Sequence, residues 1–520
     1  MKKLVITLTL ASCLAICHAQ KFNTLILGGE LSNSAATSVT DIDSVIPKVA
    51  RMGLNTILVP AQWDLMEPTE GKFDFSLIDE TIEKARKSNL KVIFLWFGAW
   101  KNSMSCYAPL WFKQNTSRFP RATTESGKQM EIASAFSDNV FNADNNALCA
   151  LMRHIHQIDA DRNTVIMIQV ENEIGMLESA RDYSPIADKA YNGKDWRKYL
   201  NGNEDKLQRD EIFQAVYYAR YVEKLAKNIR KIHDIPLYVN AAMNSRGRKP
   251  GEYPSAGPLA HLQKIWKSEA PHIDILAPDI YDTGFKSWTS QYAFKGNPLF
   301  IPESRCCENS GVRALYSFGE HGAIGFSPFA IDIADTKSIE SIENSYALLK
   351  KLQPLIKRYN GTNDMHGILF DKNDKECNIE YDNTILTCRH YFTLPWDPRA
   401  TDGSTWQEGG AIIIRIAKND YIIAGNGVVV TFKTKTEKEQ EQNVKLGEDG
   451  FAEKGNIINV GSTRFHGKRM GIGFVDQTDI DKDGNIRYIR RDNGDQSHQG
   501  RHACIPCGEY RILHIKLYEY

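Results

Sequence analysis

The 520 residues of the chain exceed what one hydrophobic core usually supports, so two to four ordinary domains, or one large barrel with a smaller domain, are expected. A composition of 42% hydrophobic and 25% charged residues is that of an ordinary globular protein, and a formal net charge of zero argues against a nucleic-acid partner. Beyond the first residues no run approaches the ~18 uninterrupted apolar residues needed to cross a bilayer, so no transmembrane segment is expected.

The opening "MKKLVITLTLASCLAICHAQKF" combines two lysines, an apolar stretch and a small-residue site at Cys17-His18-Ala19. This reads as a secretory signal over 1–19, cleaved before Gln20, and export to the bacterial periplasm or the medium. Leu10-Ala11-Ser12-Cys13 also resembles a lipoprotein box; the alternative is a chain anchored through a lipidated Cys13, but the apolar run continues past it. Cleavage takes two of the 64 basic residues and none of the 64 acidic ones, a net charge of −2. The eight remaining cysteines are too sparse for a disulfide scaffold, and Cys504-Ile-Pro-Cys507 is a lone CxxC, read as a disulfide or two thiols instead of a metal site.

From 20 to 360 short apolar runs alternate with amphipathic segments. The strand candidates are "FNTLILGGE", "LNTILVPAQW", "LKVIFLWFGAW", "TVIMIQVENE", "IPLYVNAAM", "IDILAPDIYD", "NPLFIPESR" and "GAIGFSPFAID". Several are continuously apolar, as parallel strands buried on both faces are. Helical patterns such as "FSLIDETIEKARKSN" and "DEIFQAVYYARYVEKLAKNIRKIH" lie between them, and eight βα units predict an α/β fold of the (β/α)8 TIM-barrel type. A doubly wound sheet is the alternative, but "LILGGELSNS" lacks the spacing of a Gly-rich phosphate loop. Two long loops, about 100–143 and 175–206, carry Trp100, Tyr107, Trp111, Phe112, Tyr183, Tyr191 and Trp196, and read as walls of a cleft. Residues 361–520, rich in short β patterns and Gly, Asn and Asp, predict a C-terminal antiparallel β-sandwich domain. Within it "DIDKDGN" starts like a calcium loop, but Arg490 stands where a bidentate Glu belongs, so a hairpin turn is expected.

Functional residues of such a barrel sit at the C-terminal ends of its strands. Strand 4 ends in Glu171-Asn172-Glu173, strand 6 in Asp279-Ile280-Tyr281-Asp282 and strand 7 in Pro302-Glu303-Ser304-Arg305. Two carboxylates across a tryptophan-lined mouth, without a metal cluster, have the layout of glycoside hydrolysis; for any single Glu the competing reading is a strand-end salt bridge. Strand alternation puts Glu171 and Glu173 on one face and Asn172 on the other, so Asn172 and Glu173 share a site only if the strand breaks at about Glu171.

"IQVENEIGM" resembles the strand-4 motif of glycoside hydrolase family 35, the β-galactosidases, usually Q-V-E-N-E-Y-G. "WDLMEPTEGKFDF" is similar to that family's strand-2 pattern, while "LWFGAWKNSMSCYAPLW", "LAPDIY", "FIPESR" and "GEHGAIGFSPFAID" resemble more closely a bacterial branch with a C-terminal domain of uncharacterised role. The resemblance implies a retaining exo-glycosidase that releases terminal β-galactose from oligo- or polysaccharides, with no cofactor and no metal. It implies Glu173 as acid/base, Glu303 as nucleophile, Asn172 on the substrate 2-hydroxyl and Glu171 in support. Tyr281 against Glu303, Trp100, Lys101 and Asn102 from strand 3, Asn240 and Glu30 are further substrate-site candidates; Glu67 is a weaker one. Ile174 stands where the family commonly has Tyr, and no acid follows strand 3, which bears on galactose preference more than on hydrolysis. The alternatives are a β-glycosidase of the same clan with another sugar specificity and a non-catalytic glycan-binding protein on a glycosidase barrel.

Overall fold

The computed structural model describes residues 24–520 except 245, 282, 395–396, 398–399, 401–405 and 442–465. The expected signal at 1–19 with its Cys13, and Asp282, lie outside the described residues. Contacts group the described chain into two compact units, one of residues up to Cys306 with Ile324–Ala334, the other of Cys307–Ala323 with Asp335–Tyr520.

The first unit holds eight parallel strands: β1 (Ile26–Glu30), β2 (Thr56–Gln62), β3 (Lys91–Phe97), β4 (Val165–Gln169), β5 (Leu237–Ala242), β6 (Ile275–Ile280), β7 (Phe300–Ser304) and β8 (Gly325–Pro328). They pair in sequence order and β8 closes on β1, the barrel expected from the βα rhythm. Its interior is a packed core in which Leu58, Ile93, Leu95, Met167, Tyr238 and Phe300 meet, so the barrel is filled and only its rim is open to chemistry. One principal helix follows each strand: α1 (Val39–Ala50), α2 (Ser76–Lys87), α3 (Asp138–Asp159), α4 (Lys206–Arg230), α5 (Gln263–Glu269), α6 (Phe285–Tyr292), α7 (Ser310–His321) and α8 (Thr336–Tyr359). Their starts are chemically marked. Ser38 and Ser137 cap α1 and α3, and Asp205 with Gln208 forms a capping box at α4.

In the second unit two antiparallel sheets pack as a sandwich. The strands are β9 (Met365–Phe370), β10 (Glu376–Tyr381), β11 (Thr384–His390), β12 (Gly409–Ala417), β13 (Asp420–Asn426), β14 (Val428–Thr434), β15 (Met470–Ile480), β16 (Ile486–Arg491), β17 (Ala503–Ile505) and β18 (Arg511–Glu519). Six of them run in the order β9-β12-β13-β18-β15-β16 and four in the order β10-β11-β14-β17. Ile368, Ile413, Ile423 and Leu513 from the larger sheet bury against Leu386, Cys388, Val430 and Ile505 from the smaller one. The same unit contains α7, which lies close on β9: a Cβ at Gly367 would meet Tyr316 O and Glu320 N at 2.5 Å, so only glycine fits there. "DIDKDGN" is a turn, with Gly484 at φ +83° and the Asp481 carboxylate accepting from the Asp483 and Asn485 N–H groups of its own loop.

Candidate active site

Glu30 ends β1, Asp279 lies in β6, Glu303 lies in β7 and Glu173 follows β4, so the strand ends bring four buried acids to one rim of the barrel. Strand pairing sets Asp279 directly beside Glu303. One carboxyl oxygen from each of Glu173, Asp279 and Glu303 lies within 4.8 Å of the other two.

The strand breaks where alternation required it to. Past Gln169 the chain turns left-handed at Glu171 (φ +60°) and Glu173 (φ +44°), a conformation that costs non-glycine residues ~1–2 kcal/mol each. Tertiary hydrogen bonds hold it: Trp100 N–H donates to Glu171 Oε2 (2.8 Å), Asn172 N–H to Trp100 O (3.3 Å) and Glu173 N–H to Asn240 Oδ1 (2.9 Å). The break turns Glu171 away from the rim acids. Its carboxyl meets Asp144 of α3, which accepts from Trp96 Nε1 (2.8 Å) and the Tyr221 hydroxyl (2.7 Å).

Burial and the neighbouring Glu303 charge push Glu173 up to about 7, against an opposing pull from Lys101. Burial, then Glu303, Glu173 and Glu30, hold Asp279 well above the usual carboxylate range. Glu30 is likewise raised by burial first and Glu303 second. The Glu173 carboxyl faces that of Asp279, and the Glu30 carboxyl faces that of Glu303. The Tyr281 hydroxyl donates to Glu303 Oε1. Lys101 is 5% exposed and feels all four acids: burial alone would lower its pKa, but Glu303, Glu173, Glu30 and Asp279 together raise it. Three such carboxyl oxygens have the spacing of metal ligands.

The expected site residues separate into groups. Glu173, Glu303, Glu30 and Tyr281 converge on the rim. Asn240 is buried there too, but both side-chain atoms serve the protein: its Oδ1 accepts from Glu173 N–H and its Nδ2 donates to Asp279 (2.6 Å), which makes it a positioning residue instead of the expected substrate contact. The Asn172 amide is fully buried, and neither its oxygen nor its nitrogen has a partner among the described residues. Trp100 corrects its expectation: it is 0% exposed, with its ring edge-on to Tyr218 and Tyr221 of α4, so its backbone, not its indole, serves the site. Asn102 occupies an exposed turn at φ +51°. Glu67 accepts from Trp63 Nε1 and Gly71 N–H, a local structural role. Arg305 is exposed and donates to Tyr281 O.

The loop aromatics also differ from expectation, because they find each other. Trp63, Trp111, Phe112 and Phe119 pack together, and Arg181 stacks on Tyr183 and Tyr191, building small satellite cores instead of cleft walls. The cleft aromatic is Trp288 of α6, which with Glu173, Asp279, Tyr281 and Met243 lines a cavity of about 130 Å³. No periodicity singled it out; its only signal is a tryptophan seven residues past Tyr281. A roomier cavity of about 310 Å³ lies in the second unit, lined by Tyr391, Arg490 and Arg511.

Residues 36–235 match the model of glycoside hydrolase family 42, described as Beta-galactosidase, and residues 342–504 match a Domain of unknown function (DUF5597). The resemblance therefore holds at the level of β-galactosidase glycoside hydrolases, while the matching family is 42 and not the 35 that the motifs resemble. The match includes Asn172 and Glu173 and stops before Glu303. Among solved structures, the chain is similar to a β-galactosidase from the psychrophilic Marinomonas ef1 (13% identity, TM-score 0.47, 64% of this chain and 60% of that one). It is also similar to the β-galactosidase of Rahnella sp. R3 (14%, TM-score 0.48, 64% and 57%) and to Gan42B, a GH42 β-galactosidase from G. stearothermophilus (15%, TM-score 0.46, 64% and 57%). The chain spans about three fifths of the length of these solved relatives. No curated protein matches it. Among the described residues no helix is long and apolar enough to cross a membrane.

Proposed function

We propose that the chain is a retaining exo-β-galactosidase that releases terminal β-galactose from oligo- or polysaccharides after export. The observation that carries this reading is the approach of Glu173 and Glu303 oxygens to within 4.8 Å, near the ~5–5.5 Å of retaining enzymes and short of the ~6.5–9.5 Å that inverting ones need for a water. The match of residues 36–235 to the family-42 model supports it.

In this mechanism Glu303 attacks the anomeric carbon while Glu173, protonated below about pH 7, gives its proton to the leaving glycosidic oxygen. Esterifying Glu303 removes its negative charge, one of the two causes that raise Glu173. Glu173 then acidifies and takes the proton of the water that releases the sugar. Tyr281 steadies the Glu303 carboxylate through its donated hydrogen bond, and Asn172 serves the 2-hydroxyl. A second reading, the same chemistry on another β-glycoside, is favoured by Ile174, buried where the wider family commonly has Tyr.

Labelling with a 2-fluoro-β-galactoside and mapping by mass tests sugar, retention and nucleophile together. Label on Glu303 is the expected result. Turnover of nitrophenyl β-galactoside with the label on another residue would overturn the assignment, and a panel of nitrophenyl glycosides decides the sugar.

A further inference from the structure

Lys101 is fixed in place by its backbone. It exchanges hydrogen bonds with Met104 (Lys101 N–H to Met104 O, 2.7 Å; Met104 N–H to Lys101 O, 3.0 Å) around a tight turn with Asn102 and Ser103 left-handed, and it pairs alongside Asn172. The residue is 95% buried, yet its ammonium makes no hydrogen bond or ion pair among the described residues; its near neighbour is the face of Phe97, 4.7 Å from Nζ. A buried ammonium with three unused donors is costly unless a ligand or water accepts from it. Beside it the Asn172 amide is also unpartnered. Two adjacent, buried, unpaired polar groups at a rim of acids form a recognition surface for something rich in hydroxyls.

We propose that Lys101 is a substrate-binding residue, donating to a hydroxyl of a neutral glycone other than the 2-hydroxyl. The proposal rests on the glycosidase reading above and deepens it. A sugar hydroxyl suits the surroundings because it accepts from the ammonium and donates onward to a carboxylate such as Glu30. A uronic acid does not, because its carboxylate would enter among Glu30, Glu173, Asp279 and Glu303. The competing role is that of a counter-charge for Glu303 that never touches substrate.

The test is kcat/KM of wild type and of Lys101→Met, which keeps the stem against Phe97, on nitrophenyl β-galactoside and its 3-, 4- and 6-deoxy analogues. In the wild type one analogue is expected to lose roughly 10- to 100-fold, the strength of a hydrogen bond to a charged donor. In Lys101→Met the parent falls by a similar factor and the discrimination shrinks to within about threefold. Lys101→Gln, a neutral donor, restores part of it. A variant that loses the same factor on every analogue overturns substrate contact in favour of the counter-charge. The wild-type series needs no variant to fold: turnover of the parent with no deoxy analogue impaired overturns the inference and leaves the function standing. A wild type that prefers a nitrophenyl β-uronide overturns the neutral glycone. One that hydrolyses no nitrophenyl glycoside overturns the function and this inference with it.

Discussion

Two clusters of buried acids form around glutamates two residues apart in the chain, Glu171 and Glu173, and their contrast separates structure from chemistry. Glu171 and Asp144 are both buried, and the fold supplies donors to three of their four oxygens: Trp96 and Tyr221 to Asp144 and the Trp100 N–H to Glu171 Oε2, with Glu171 Oε1 left to the facing Asp144 carboxyl. Burial first, then Asp144, holds Glu171 well above the usual carboxylate range, a strut behind the rim. Glu173, Asp279, Glu303 and Glu30 are buried too, but they crowd one another, with Lys101 the cation that all four feel, and Glu173 and Asp279 line a cavity. Buried acids whose donors come from the fold are scaffolding; buried acids left to repel each other are poised for a reaction.

The sharpest way to break this contrast is to neutralise one acid at a time. Glu303→Gln is expected to lower kcat roughly 10⁴-fold or more, as loss of a nucleophile does, and near-normal turnover would remove Glu303 from the mechanism. Glu173→Gln is expected to cost about 10²- to 10⁴-fold on an alkyl galactoside but far less on a nitrophenyl one, whose leaving group needs no proton. Equal losses on the two substrates would deny Glu173 the acid role. Circular dichroism melts run alongside check that both variants remain folded.

Much of the frame was legible before any coordinates. The barrel strands are buried on both faces and several are continuously apolar, so their runs stand out, and the rule that chemistry gathers at strand ends leads to Glu30, Glu173, Asp279 and Glu303. The path of the chain just past a strand end was less legible. The left-handed turns at Glu171 and Glu173 have no local cause, since glutamate does not favour them; Trp100 and Asn240, distant in sequence, hold them. For the same reason Asp144 could not be paired with Glu171 from spacing, and Trp100 was expected in the cleft when its ring belongs to the packing against α4.

Titration sharpens the contrast next. Glu173 rises from 4.5 unfolded to about 7 folded, so the native state binds its proton more tightly than the unfolded state does. Its contribution to stability is complete below about pH 4.5 and is lost as pH rises to 7, a decline of about 3 kcal/mol. Glu30 and Asp279, also raised, act with the same sign. Urea midpoints of wild type and Glu173→Gln at pH 4.5 and 8 isolate the Glu173 share: the variant should lose less stability than wild type across that interval. Kinetically, kcat/KM should fall above about pH 7, where Glu173 has no proton to give. Parallel stability profiles for the two proteins would mean that Glu173 is not raised.

The smallest expected effect belongs to Glu171→Gln. If Glu171 is neutral and donates to Asp144, an amide reproduces it: the carbonyl oxygen accepts from Trp100 N–H and the NH₂ donates to Asp144 in place of the acid proton. Stability should then hold within about 0.5 kcal/mol, and kcat within a few-fold, because the backbone break that orients Glu173 is preserved. Asp144→Asn is not equivalent, since one of its oxygens becomes an NH₂ facing the donor of Trp96 or Tyr221, and a loss of about 1–3 kcal/mol is expected. The asymmetry between the two amide substitutions reports which of the two carboxyls carries a proton. A destabilising Glu171→Gln together with a silent Asp144→Asn would reverse the pair, making Glu171 the charged partner and Asp144 the donor.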